Sequence, residues 1–256
     1  MELKDRTGER RIMNCGEEAE IVEYINNKNI LVRFLKTGEV IRSTYNCFKN
    51  GTIVSHFIPS VCKVGIVGLE KVKENGKHLK SYESWRDMLR RCYDKKLQRK
   101  RPTYIGCKVC EEWLYYPNFK KWYEENYYEI EGQKMMLDKD ILVKGNKVYS
   151  PDTCMIVPSN INTLFIKNDK NRGNCPVGVT WVSRDKKFQP QCNIFDIETG
   201  KSKHKSFKTF KNKEEAFELY KRIKEENIKQ VADYYKYQIP KKLYEAMYKY
   251  EVHIDD

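Results

Sequence analysis

The chain has 256 residues, with 49 Lys and Arg against 36 Asp and Glu, a formal charge of +13 and 12% aromatic side chains. Cation excess on this scale favours a polyanion, since lysines and arginines that replace condensed counterions release them. The aromatic content argues against a disordered polycation, no run approaches the ~18 apolar residues that a membrane span needs, and the opening MELKDRTGERR lacks a signal-peptide core, so an intracellular, cytoplasmic protein without membrane contact is expected.

Residues 1–74 are expected to form a small β-barrel and a linker. Short apolar runs, AEIVEYI, ILVRFL and VIRSTY, alternate with turn signals at Asn26-Asn27 and Thr37-Gly38. The pattern looks like a Tudor-like small barrel. Arg33 and Arg42 on its strands define no groove. Residues 59–80, with Pro59, Gly65, Gly68 and KVKENGKHLK, read as a linker with little core of its own.

A central module is expected over 75–170. Ser81 reads as the cap of a helix whose Trp85, Met88, Leu89, Cys92 and Tyr93 make one apolar stripe. Between residues 90 and 101 stand seven basic residues and one acid, and Arg90, Arg91, Arg99, Lys100 and Arg101 are candidate phosphate contacts. A second helix is expected over 117–127, apolar at Phe119, Trp122 and Tyr123. Then MMLDKDILVKGNKVYSPDTCMIVPSNIN reads as a β-hairpin running into a helix that starts near Ser159. The nine cysteines are odd in number and scattered, which suits a reducing compartment. Cys107 and Cys110 form the one close pair, and a structural zinc would need two more ligands, for which Cys92 and Cys154 are nearest.

Residues 168–174, NDKNRGN, read as a polar break. From 171 to 256 the pattern is three strands, 177–183, 187–195 and 203–210, and then a long helix over 212–235 capped by Asn212. Its Ala216, Phe217, Tyr220, Ile223, Ile228 and Val231 should face the sheet. Pro190 is expected to break or bend the middle strand. Lys187, Gln189, Gln191 and Asn193 share one strand face, with Arg184 at the end of the preceding strand. Lysines 201, 203, 205, 208, 211 and 213 run without an intervening acid. Gln and Asn can pair with adenine and Arg with guanine, while Lys203, Lys205 and Lys208 would hold phosphates. The fold class expected is α+β in three small modules.

The hairpin segment resembles the HNH endonucleases of bacteriophages. Asp138 matches the motif's Asp, Lys139 its His, Gly145-Asn146 its turn, Thr153 its middle Asn, and Asn160 or Asn162 its last ligand. That resemblance implies a ββα-metal centre in which Asp138, Asn160 and Asn162 would hold Mg²⁺. Asp138, Lys139 and Asn162 would then be its catalytic residues. Lys139 and Thr153 depart from the motif. Lysine is protonated at neutral pH and needs burial or a cationic neighbour to act as a base, so the centre reads as degenerate. His56, His78, His204 and His253 are scattered, and His78 would serve as a base only by folding back.

The C-terminal block resembles the ethylene-response-factor type of DNA-binding domain, in its Gly178-Val179 opening, its basic turn and its helix entry at 210–217. The combined resemblance implies a phage-type, double-stranded-DNA-binding protein of a bacterial host's cytoplasm with an impaired nuclease centre. Two rivals remain: an active, metal-dependent, homing-type nicking enzyme, and a phage protein that binds and inhibits a host nucleic-acid machine.

Overall fold

A computed structural model describes residues 5–166 and 174–254, so most of the polar break at 168–174 lies outside the described residues. The chain is mixed α+β and divides into two compact units, residues 1–125 and 126–256. No helix among the described residues is long and apolar enough to cross a membrane.

In the first unit, β1 (Arg10–Ile12), β2 (Glu18–Asn26), β3 (Asn29–Phe34) and β4 (Val40–Ser43) form an antiparallel sheet with β1 and β4 at its edges. Alternation buries Ala19 and Ile21 on β2 and Ile30, Val32 and Phe34 on β3. The helix α1 (Tyr45–Lys49), capped by Thr44, closes this core with Phe48. The β2–β3 turn is Asn27-Lys28, one residue later than expected, because the Asn26 side chain accepts from the Lys28 N–H at 2.9 Å.

The expected linker is built into the unit. Lys73–Glu74 (β5) and Lys77–His78 (β6) pair around Asn75-Gly76, both at positive φ, a turn that the dipeptide Asn-Gly favours. Ile66 exchanges backbone bonds with Leu114 and Tyr116, and a Cβ on Gly65 would stand 2.4 Å from Leu89 Cδ1. Only glycine lets this segment lie so close to the helix α2 (Lys80–Tyr93). Trp85, Met88, Leu89 and Cys92 are the buried stripe of α2. Ser81 does not cap it: the cap position is Leu79, and the buried Ser81 hydroxyl bonds the Tyr116 hydroxyl at 2.9 Å. Next come α3 (Lys95–Lys100), β7 (Lys108–Val109) and α4 (Tyr116–Asn126), the last burying Tyr116, Phe119 and Tyr123.

In the second unit, β8 (Met135–Asp138) pairs antiparallel with β10 (Met155–Pro158), which leads into α5 (Ser159–Leu164). The two-residue β9 (Val148–Tyr149) lies in the connection between them. Gln133, rather than Ser159, caps α5, its side-chain oxygen accepting from the Asn160 N–H at 3.4 Å and the Ser159 hydroxyl at 3.3 Å. The strands β11 (Val179–Val182), β12 (Lys187–Asp196) and β13 (Lys201–Ser206) then form a sheet in that order, packed on α6 (Lys213–Tyr235). α7 (Lys241–Tyr248) follows. Asn212 caps α6 through Glu214 N at 2.7 Å and Glu215 N at 3.3 Å. Met155, Val157 and Ile161 share a core with Phe195, Ile228, Val231 and Leu243, so hairpin, sheet and helices of this unit consolidate together.

Pro190 does not interrupt β12. The ladder to β11 covers Lys187 to Pro190 and that to β13 covers Gln191 to Asp196, so proline sits where the strand changes partner. Its carbonyl accepts from Phe207 N at 3.0 Å, and Gln191 N donates to Gly178 O. Beyond that point no strand among the described residues lies on the β11 side of β12, and Asn227 of α6 takes the place of one. Asn227 is 2% exposed, accepts from Phe195 N at 2.7 Å and donates to Asn193 O at 3.3 Å. Asn227→Leu strands both backbone groups, and the expected loss is about 2–4 kcal/mol in urea unfolding. A loss below about 0.5 kcal/mol, the level of an ordinary surface substitution, would show that water replaces these bonds freely.

Candidate nucleic-acid interface

The motif residues of the hairpin are spent on holding the connection between β8 and β10. Asp138 Oδ1 accepts from the N–H groups of Asp140 and Ile141, both at 2.8 Å. Lys139, 6% exposed, places Nζ 2.7 Å from both carboxylate oxygens of Asp140 and 2.6 Å from the Asn146 carbonyl. All three ammonium protons thus have acceptors, and no lone pair is offered to a water. Asn146, after Gly145 at positive φ, ties the loop by donating to the Lys139 and Val148 carbonyls. Thr153 donates to the Val148 carbonyl at 2.8 Å.

Two of the expected metal ligands, Asp138 and Asn160, are engaged by hydrogen bonds within the chain. Asn160 donates to the Tyr235 hydroxyl and turns its oxygen to Ile161 N, while Asp138 serves its own turn. Asn162 lies in the last turns of α5, its carbonyl accepting from Phe165 N. Among the described residues no group of three or more His, Cys, Asp or Glu is placed to hold a metal, and Cys92, Cys107, Cys110 and Cys154 form no disulfide. His78 stacks on Tyr82 at 5.0 Å within the first unit.

Burial pushes the Asp138 carboxyl above its ordinary value, against the two N–H bonds that pull it down. An acid whose folded value is raised keeps its proton longer in the folded state, so it withdraws stability as pH climbs from the ordinary carboxylate value, about 3.9, through the raised one. Asp138→Asn retains an oxygen for both N–H groups and removes that loss. The variant should match or exceed the parent's melting temperature at neutral pH and lose its advantage at the acid end. A lower melting temperature at neutral pH would mean that the charge itself is needed.

Basic side chains fall into two groups. In the first unit Arg90 lies 3.8 Å from Asp87 and 3.9 Å from Asp94, and Arg91 lies over the Tyr104 ring. Arg99, Lys100 and Arg101 are exposed at the end of α3. In the second unit strand pairing sorts the predicted residues by face. Thr180 and Val182 pair with Gln189 and Lys187 on the face turned from α6. Lys201, Lys203 and Lys205 pair with Asp196, Ile194 and Cys192, so they project on the α6 side of the edge strand. The pleat therefore separates the amide row from the lysine row.

Several expected base readers are already engaged. Gln189 donates to the Phe207 carbonyl at 2.9 Å, Asn193 is bonded to His204 at 3.1 Å, and Arg184 is paired with Asp185 at 2.8 Å. Lys203 holds Asp196 at 3.2 Å. Lys201, Lys205, Lys208 and Lys211 are exposed with no carboxylate partner among the described residues, and Lys205 borders a groove with Arg222, Glu226 and Gln230 of α6. Arg222 was missed by sequence reasoning. Its position on the outer face of α6, beside a lysine-bearing edge strand, is the signal that would have found it.

No protein-family model, curated protein or solved structure matches the chain.

Proposed function

We propose that the chain is a phage-encoded, double-stranded-DNA-binding protein of the HNH type, acting in the cytoplasm of a bacterial host, whose hairpin centre no longer cuts. In this reading the β1–β4 sheet is a Tudor-like module, the β8–β10–α5 segment is a ββα relic, and β11–β13 with α6 is an ethylene-response-factor-like domain. The observation that carries it is the edge of β13. All six of its residues are exposed, and Lys201 and Lys205, with Lys208 and Lys211 just beyond, have no neutralising carboxylate among the described residues.

Lysines on an edge strand also deter edge-to-edge pairing of sheets. That task is met by one or two of them, whereas the run extends past the strand into the loop before α6. The docking supported by these positions is phosphate contact from the β13 edge and Arg222, with Arg99, Lys100 and Arg101 as a further cationic patch. Base readout has less support, because Arg184, Gln189 and Asn193 already have partners in the chain.

The test is a titration of random-sequence duplex between about 50 and 300 mM salt, where at least four phosphate contacts give a log–log slope of about −3.6 or steeper. A flat dependence would remove the proposal. Supercoiled plasmid with Mg²⁺ or Mn²⁺ should stay unnicked, and nicks that vanish in Asp138→Ala would overturn its non-cutting half.

A further inference from the structure

A cleft of about 300 Å³ lies within the second unit, walled by the end of α5, the start of β11, the middle of β12 and β13, and α6. It lies where the β11 ladder ends at Val179 and Pro190, leaving no described strand beside Cys192 on that flank of β12. Its polar lining comes from Lys224, Gln191, Asn193, Ser202, His204 and Thr163, and none of the described lining residues is acidic. Lys201, Lys205, Lys208 and Lys211 do not line it, so the site is separate from the surface proposed for duplex.

Lys224 is the telling residue. It is half-buried, it has no carboxylate partner among the described residues, and the titratable group that acts on it is the Cys192 thiol. Burial draws the Lys224 ammonium below its ordinary value and lifts the Cys192 thiol above its own. An ammonium withdrawn from water without a counter-charge costs stability, and an anion beside it restores the missing interaction. The Ser202 hydroxyl and the amides of Gln191 and Asn193 supply neutral donors around the same space, while the Thr163 hydroxyl already donates to the Asn160 carbonyl at 2.8 Å. The volume stands at the lower end of ligand pockets, about 300–1,000 Å³.

We propose that this cleft binds a small phosphate-bearing ligand, with Lys224 as its counter-ion and the surrounding hydroxyl and amide groups as hydrogen-bond donors. Entry of the anion favours the charged amine, so binding takes up a proton wherever free Lys224 is partly neutral. Among the described residues, the other titratable groups lining the cleft are Cys192 from β12, His204 from β13 and Tyr220 from its own helix, and Thr163, Leu164 and Ile166 beside them carry none.

The experiment is calorimetry on the full chain with adenosine 5′-monophosphate, inorganic phosphate and adenosine. The two phosphate-bearing probes should bind, and adenosine should bind at least about tenfold more weakly. Lys224→Met should lower affinity for the monophosphate by about tenfold or more, leave random-duplex affinity within about twofold, and abolish proton uptake measured across buffers of different ionisation enthalpy. A parallel Lys224→Arg variant, which keeps the charge, should retain binding and confirms that the fold tolerates substitution there. Three results would overturn the inference: no heat at ~1 mM probe, equal binding by adenosine, or monophosphate binding untouched in Lys224→Met. Duplex affinity that falls in step with that of the monophosphate would make the cleft part of the duplex surface and refute a separate site, whereas failure of the duplex titration alone leaves these outcomes unaffected.

Discussion

Replacing Lys201, Lys205, Lys208 and Lys211 together by Gln is expected to lower random-duplex affinity by two to three orders of magnitude at about 0.1 M salt. Each lysine that neutralises a phosphate contributes about 0.9 to the log–log salt slope, so four of them remove about 3.6. Their positions make the test clean. All four are exposed and make no ion pair among the described residues, so the substitution removes charge and leaves the packing of β12 on α6 intact. The matching control replaces Lys28, Lys36 and Lys49, exposed on the first unit, and should shift the slope by less than about one unit. Equal effects of the two variants would reduce the β13 edge to a solubility device.

Gly178→Ala is expected to destabilise the second unit by about 3–5 kcal/mol, among the largest single-site losses a surface-adjacent residue can produce. Gly178 has φ +70°, a conformation that costs an L-residue about 1–2 kcal/mol. An added Cβ would fall 2.0 Å from Tyr220 Cε2, inside the ring's own volume. Tyr220 is only 8% exposed and packs with Val179, Cys192 and Phe217, so displacing its ring gives up those contacts. Combining Gly178→Ala with Tyr220→Ala should cost less than the sum of the two by more than about 1 kcal/mol, because the cavity receives the methyl group. Strict additivity would show that the backbone conformation, rather than the ring, makes glycine necessary.

The C-terminal sheet and helix were the most legible part of the sequence. Alternating apolar residues from Val179 to Phe195 and the i, i+4 rhythm of Ala216, Tyr220 and Ile228 are strong periodic signals, and Asn212 followed by Glu214-Glu215 marks a helix start directly. The stripe of α2 was legible for the same reason. Ser81 and Ser159 misled because a serine before an apolar run is an N-cap only when its hydroxyl has no better partner. Here one bonds Tyr116 and the other bonds Gln133. The Asn75-Gly76 hairpin signal was present, but charged residues surround it and it reads as a linker until Gly65 and Ile66 are seen to pack back.

The candidate site was legible as chemistry and not as geometry. Lys139 beside Asp140 announced a departure from a proton-accepting centre, yet only three dimensions reveal that Asn146 supplies the third acceptor. The amides of β12 and the lysines of β13 looked like one composite surface because neither run contains acids. The antiparallel register, which pairs Lys205 with Cys192 and His204 with Asn193, puts them on opposite faces. Register between strands separated by a turn is set by the turn and the buried face together, and sequence alternation alone does not fix it. Lys224 escaped notice as one of many lysines on a charged helix, since its distinction is that β11 ends before reaching it.

Lysine acetylation footprinting of the full chain, free and bound to a random duplex, tests the central claim most directly. The account predicts that Lys201, Lys205, Lys208 and Lys211 lose reactivity in the complex while Lys28, Lys36 and Lys49 keep theirs. Protection of the latter group, with the β13 edge unchanged, would contradict it.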